Sequence, residues 1–135
     1  MARKPKKKKI KHISLKALRK RADKLIQEYI RLKYKKCMVC NNPMPAGHHF
    51  FTKANSNALR YHISNIIPLC QSCHCLVHTQ PHLVTPKISF YMGEDWYNEL
   101  LDIKKQYVKA NKEWYLSKIE ELEGFIRNLK EDKYV

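Results

Sequence analysis

Residues 70–78 read CQSCHCLVH, which places three cysteines and two histidines within nine positions. Both residue types ligate metals, so the reading of this stretch turns on whether it serves one ion or two. Cys70-x2-Cys73 has an upstream counterpart in Cys37-x2-Cys40, with 29 residues between the two pairs. Each pair brings two thiolates onto one tetrahedral ion, and two pairs close the coordination sphere of a structural Zn²⁺. His74 and His78 stand four residues apart, which on a helix sets them on one face about 40° from each other, while Cys73 lies about 100° from His74. One side of such a helix can face the cysteine site and another side a second metal. A Cys2His2 finger built from Cys37, Cys40, His74 and His78 would need a 33-residue insert, against the usual ~12, and would strand Cys70 and Cys73. Cys75 is left over and reads as a small buried filler.

The chain has 135 residues, one domain's worth, and a net charge of +15 that is unevenly spread. Residues 1–36 hold 16 of the 27 Lys/Arg with only Asp23 and Glu28 against them, a net +14, and the remainder is close to neutral. Excess charge at one end suggests a polyanion-binding arm, with nucleic acid the first candidate. No apolar run approaches the ~18–20 residues that span a bilayer, so a soluble protein in a reducing cytoplasm is expected, with no membrane partner.

Residues 1–13 form a basic segment expected to be a disordered tail, in which Arg3, Lys4, Lys6, Lys7, Lys8, Lys9 and Lys11 are candidate DNA contacts. PKKKKIK also has the composition of a nuclear-localisation signal; a DNA arm is the preferred reading. Ser14 caps an expected N-terminal helix over 14–36, with Leu15, Leu18, Ala22, Leu25, Tyr29 and Leu32 as its apolar stripe. Lys16, Arg19, Lys20 and Arg31 lie mostly off that stripe and read as solvated charges. Turn residues mark the start of a 37–92 core. It is expected to hold an extended stretch at 48–52, a second strand near 59–62 or 65–67, and a brief helix from Gln71 limited by Pro81 and Pro86. Residues 93–135 read as helical, with one stripe of Trp96, Leu100, Ile103 and Tyr107 and another of Tyr115, Ile119, Leu122, Ile126 and Leu129. They form one long helix with a shifted face, or two helices meeting near Asn111. Trp96 and Trp114 read as core or dimer-contact residues.

Between Cys37 and Met92 there is no Asp or Glu, yet six of the seven histidines fall there. Metal or proton chemistry inside this segment therefore rests on His, Cys, Asn or backbone groups. His48-His49, then Asn65 sixteen residues on, then His74 and His78, follow an order that resembles the HNH (ββα-metal, His-Me finger) nucleases, in their colicin-type HH…N…HxxxH form. The runs DKLIQEYIRLKYKKCMVC, AGHHF, ALRYHISN, CQSC and MGEDWYNEL together resemble the phage recombination nucleases of the NinG (Rap) family. That family more commonly has one His after the Gly and CxxCN where this chain has Cys73-His74.

The resemblance implies roles by position. His49 is the general base, His48, His74 and His78 hold a catalytic divalent ion, and Asn65 orients the hairpin; the doubled histidine leaves the choice of base between His48 and His49 open. Products would carry 5′-phosphate and 3′-hydroxyl ends. Arg60 and Lys53 are candidates to grip the scissile phosphate, with plain exposed loop charges as the alternative. The fold expected is α+β, a zinc-stapled ββα-metal HNH core flanked by an N-terminal helix and a long C-terminal helical segment. The activity expected is metal-dependent DNA endonuclease, on branched or single-stranded recombination intermediates of a phage in its bacterial host's cytoplasm. Cofactors would be structural Zn²⁺ and Mg²⁺, Mn²⁺, Ni²⁺ or Zn²⁺ at the active site, and a homodimer through the terminal helices would suit paired cuts. Two other classes compete: a non-catalytic zinc-knuckle nucleic-acid adaptor, and a helical assembly protein of DNA metabolism.

Overall fold

A computed structural model describes residues 12–132; the expected basic tail from Arg3 to Lys11 lies outside them. Helix α1 spans Leu15–Lys33 and begins where the Ser14 hydroxyl accepts the Ala17 N–H at 3.1 Å. It stops short of the expected Lys36 because Tyr34 turns extended and Lys36 pairs with Pro43 in an isolated bridge. Strand β1, Ala46–His49, pairs antiparallel with β2, Ile66–Leu69, in a two-stranded sheet that sets His48 opposite Ile67 and His49 opposite Ile66. Both strands are displaced from their expected positions. Leu59 instead belongs to a one-turn helix, α2 (Asn57–Arg60), capped where the Ser56 hydroxyl accepts the Leu59 N–H at 3.2 Å.

After β2 the chain enters α3, Gln71–Thr79, capped by the Cys70 sulfur. Helix α4, Thr85–Met92, was not foreseen from the sequence. Pro86 sits in its first turn, where a missing N–H costs nothing, so this proline opens a helix rather than limiting one. Gly93, at φ 88°, makes the sharp joint to α5, Glu94–Lys104. The last element is α6, Lys112–Asp132, whose first turn is capped by the Asn111 side chain accepting the Trp114 N–H at 2.9 Å. The C-terminal region is thus two helices, and the first stripe loses its last member: Tyr107 lies past the end of α5 and is 90% exposed.

The apolar stripes of α1 and α6 face each other within the chain. Leu18, Ala22, Leu25, Ile26, Tyr29 and Ile30 pack with Tyr115, Leu122 and Ile126. The α1 stripe is thus a packing face, as expected. A second cluster gathers Cys37, Leu59, Ile67, Leu69, Val84, Ile88, Trp96 and Leu100. All four residues of β2 are buried because the strand lies between the two cores, giving Ile66 to the first and Ile67 and Leu69 to the second. The fold is therefore mixed helix and small antiparallel sheet. Among the described residues no helix is long and apolar enough to cross a membrane.

α1 is fixed to the sheet edge by one side chain. Gln27 donates to the Gly47 carbonyl at 2.9 Å and accepts the Gly47 N–H at 2.7 Å, standing in for a neighbouring strand. A Cβ at Gly47 would come within 2.7 Å of Ile66 Cγ2 and 3.1 Å of Ile30 Cγ1, so only glycine permits this approach.

Candidate metal centres

The four paired cysteines converge. The sulfurs of Cys37, Cys40, Cys70 and Cys73 all lie within 4.8 Å of one another, with Cys40 and Cys70 at 3.4 Å, near the ~3.8 Å edge of a tetrahedral site with zinc–sulfur bonds of ~2.3 Å. The local backbone suits thiolates. The Val39 N–H points to the Cys37 sulfur at 3.4 Å and the Cys73 N–H to the Cys70 sulfur at 3.5 Å. Asn41 adopts a left-handed conformation at φ 63°, which returns the chain after Cys40. Four thiols this close cannot all ionise without a cation. Burial works against ionisation of Cys70, but the Cys73 amide and neighbouring thiols bring it down to about 7. Burial and the same neighbours push Cys73 up. This cluster is a possible metal site whose donor set is consistent with structural zinc. Cys75, expected to be buried, is exposed.

A second convergence involves β1 and α3. His48, His74 and His78 bring one ring nitrogen each within 4.8 Å of the others. The Nε2 atoms of His74 and His78 are 3.2 Å apart, close to the ~3.3 Å expected for two nitrogens bound to one tetrahedral ion at ~2.0–2.1 Å. Helical spacing places His74 beside His78, and strand pairing brings His48 to them, with ring centroids 5.2 and 5.5 Å away. Burial, followed by the facing His74 and His78, pushes the His48 pKa down to about 4, so the ring is a neutral donor at ordinary pH.

His49 is not part of that triad. Successive strand residues turn opposite ways, and His49 Nε2 meets the carbonyl oxygen of Arg60 at 2.8 Å. A carbonyl only accepts, so Nε2 carries the proton and Nδ1 is left as the acceptor. Burial lowers the His49 pKa from its ordinary value, the Arg60 carbonyl opposing it.

Asn65 is fully buried behind this pair. Its Oδ1 accepts the Phe51 N–H at 2.9 Å, and its Nδ2 donates to the carbonyls of Phe51 at 3.1 Å and Leu59 at 3.2 Å. It thereby ties both ends of the 50–65 connection together.

No family model, no curated protein and no solved structure matches the chain. The geometry must therefore carry the functional reading.

The histidines face an open cleft of about 410 Å³ lined by Gln27, Gly47, Thr52, Lys53 and Ala54 as well as His48, His49, His74 and His78. Lys53 lines this cleft, and its ammonium lies 3.7 Å from Asp23. Arg60 is not. Its guanidinium is held by Asp23 at 3.0 Å, with a side chain only 13% exposed, and Arg60 does not line the cleft. The expectation that Arg60 grips phosphate gives way to a different contribution, made by its backbone carbonyl at His49. Asp23 also accepts the Tyr61 hydroxyl at 2.9 Å, so it anchors the segment that carries that carbonyl.

Two residues of this site lie outside the sequence motifs. Asp23 carried a usable signal, as one of only two acids among 16 basic residues. Gln27 carried none, since its partner is backbone and leaves no trace in side-chain patterns.

Proposed function

We propose that the chain is a metal-dependent DNA endonuclease of the HNH type, with β1, β2 and α3 as its ββα-metal core. The observation that carries this reading is the division of labour between adjacent histidines. His48 joins His74 and His78 in a three-nitrogen cluster, while His49 beside it is held by a carbonyl in the tautomer a base requires.

His48, His74 and His78 would hold the catalytic divalent ion. When bound, it would supply positive charge to offset the negative charge developing on the phosphate and the leaving oxygen. The rest falls to the chain. His49 Nδ1 takes the proton of a water molecule as its oxygen attacks phosphorus. The bond from phosphorus to the 3′ oxygen breaks, and that oxygen takes a proton from solvent, leaving a 5′-phosphate and a 3′-hydroxyl. Donation from Nε2 to the Arg60 carbonyl becomes stronger once the ring is charged, which stabilises the imidazolium. Lys53 supplies a cation at the cleft wall for the substrate phosphate. The cysteine site holds the segment before β1 against the start of α3, which fixes where His74 and His78 stand relative to His48. Residues 37–92 contribute no carboxylate to the cleft, and the nearby Asp23 is engaged by Arg60, Tyr61 and Lys53. Branched or single-stranded recombination intermediates are the substrate this reading takes from the family resemblance.

The test is cleavage of linear duplex, single-stranded and four-way-junction DNA by zinc-loaded protein, titrated with Mg²⁺ and Mn²⁺. Cleavage abolished by His49→Ala is the expected result. No cleavage of any substrate with any divalent ion would overturn the reading and leave a nucleic-acid-binding adaptor in its place.

A further inference from the structure

Helix α1 presents Lys16, Lys20, Lys24, Gln27 and Arg31 at spacings that fall within an arc of about 80°. The four basic residues of this stripe are exposed. Lys16, Lys20 and Lys24 have no carboxylate within ion-pair distance among the described residues, unlike Arg21, which reaches Glu123 at 3.6 Å, or Lys53, which reaches Asp23. Like charges four apart on a helix repel and destabilise it, and Lys16/Lys20 and Lys20/Lys24 are two such pairs. A stripe of this kind gains from a bound polyanion.

Its position gives it a use. The groove along this face of α1 runs from Lys16 past Gln27 to Arg31, its two carboxylates, Asp23 and Glu28, paired with Lys53 and Arg60 and with Lys130, and Gln27 also lines the histidine cleft. From Lys16 to Gln27 the helix rises about 16 Å, enough to follow about five phosphates of one strand at ~3.4 Å each along the duplex axis. The stripe contains no aromatic residue, whereas surfaces that hold single strands combine positive charge with stacking rings.

We infer that α1 is a phosphate track for duplex DNA: Lys16, Lys20 and Lys24 follow the backbone of a double-stranded arm and lead it past Gln27 to the histidine cleft. This rests on the nuclease reading for its direction, but not for the binding itself. Gln27, hydrogen-bonded to both the N–H and the C=O of Gly47, makes the track and the strand bearing His48 and His49 one rigid unit.

The test is the salt dependence of binding to a short duplex, measured by fluorescence anisotropy without added divalent ion. It compares the zinc-loaded full chain with a Lys16→Gln/Lys20→Gln/Lys24→Gln variant and a Lys87→Gln/Lys105→Gln/Lys109→Gln variant. The second loses the same charge from exposed positions elsewhere. Three lost phosphate contacts make the slope of log affinity against log salt shallower by about 2.7, or about 40-fold in affinity between 50 and 200 mM. The control should keep most of the wild-type slope. An α1 variant indistinguishable from the control, or a loss seen with single strands and not with duplex, overturns the track. Cleavage assayed on the same proteins separates the two ideas. A wild type that cleaves with an unchanged α1-variant slope removes the track alone, and a shallower slope with no cleavage removes the nuclease alone.

Discussion

His49 and Arg60 are joined by a 2.8 Å contact between an imidazole nitrogen and a backbone carbonyl, while the guanidinium of Arg60 is turned onto Asp23. The pair links the proposed general base to the Asp23–Arg60 ion pair on α1. It also separates His49 from its neighbour His48, which faces two other imidazoles. The two histidines should therefore fail differently. His49→Ala should lower the cleavage rate by about 10²–10⁴, the range of a lost general base, with the metal content of the protein unchanged. His48→Ala or His78→Ala should instead weaken binding of the divalent ion. Rate measured against metal concentration separates the cases, because excess metal rescues only the second kind. Equal rescue of His49→Ala by metal would assign His49 to the ligand set.

The direction of the His49 shift sets the pH dependence. A base works when deprotonated, and burial lowers the His49 pKa below the ordinary 6.5. The acid limb of the pH–rate profile should therefore fall below pH 6.5, with the rate still flat at neutrality. Stability follows the same sign. His48, at about 4 in the folded chain, and the half-buried His62 bind protons more readily when unfolded. Their contribution is complete above about pH 6.5 and is lost as pH falls from there toward their folded values. Urea midpoints at pH 7.5, 6 and 5, without added divalent ion, should decline in that order. A midpoint that rises on acidification would contradict the buried, neutral state of these rings.

The cysteine cluster predicts a stoichiometry. Cys70→Ser should release about one equivalent of zinc per chain and destabilise the fold, since structural zinc sites contribute folding free energy outright. Cys75→Ser should do neither, because Cys75 is exposed and apart from the four converging sulfurs. Metal analysis of the two purified variants, with thermal unfolding, checks both halves. Zinc retained by Cys70→Ser would remove that residue from the site.

What the sequence disclosed and what it hid have separate physical causes. The cysteine pairs and His74/His78 were legible because a metal demands fixed donor types at spacings that a knuckle or helix turn imposes. The two-helix end was legible as an alternative, because the apolar stripe shifts face near Asn111. Strand limits were not, since AGHHF and NIIPL are short and the first is held by Gln27 from α1 and bounded by Asn65 from across the sheet. Arg60 was misread because charge on a loop looks available until a distant carboxylate, here Asp23, is found against it. α4 was missed because Pro86 read as a stop, although the first helical turn tolerates it.

Asn65 offers the sharpest test of how the 50–65 connection is held. Its amide makes three hydrogen bonds, accepting from the Phe51 N–H and donating to two carbonyls, at a position with no solvent exposure. Asn65→Ala leaves one donor and two acceptors buried without partners, at ~1–3 kcal/mol for each group that water cannot reach. A loss of about 2–5 kcal/mol in chemical unfolding is expected. Asn65→Asp keeps the shape and can still accept from Phe51, but a carboxylate has no proton for the carbonyls of Phe51 and Leu59 and would face both with negative charge. It should therefore destabilise at least as much as alanine, despite being the nearer isostere. If aspartate proves nearly as stable as asparagine at pH 7.5, the two donated bonds are not what holds the connection. The placement of the Arg60 carbonyl against His49 would then need another cause.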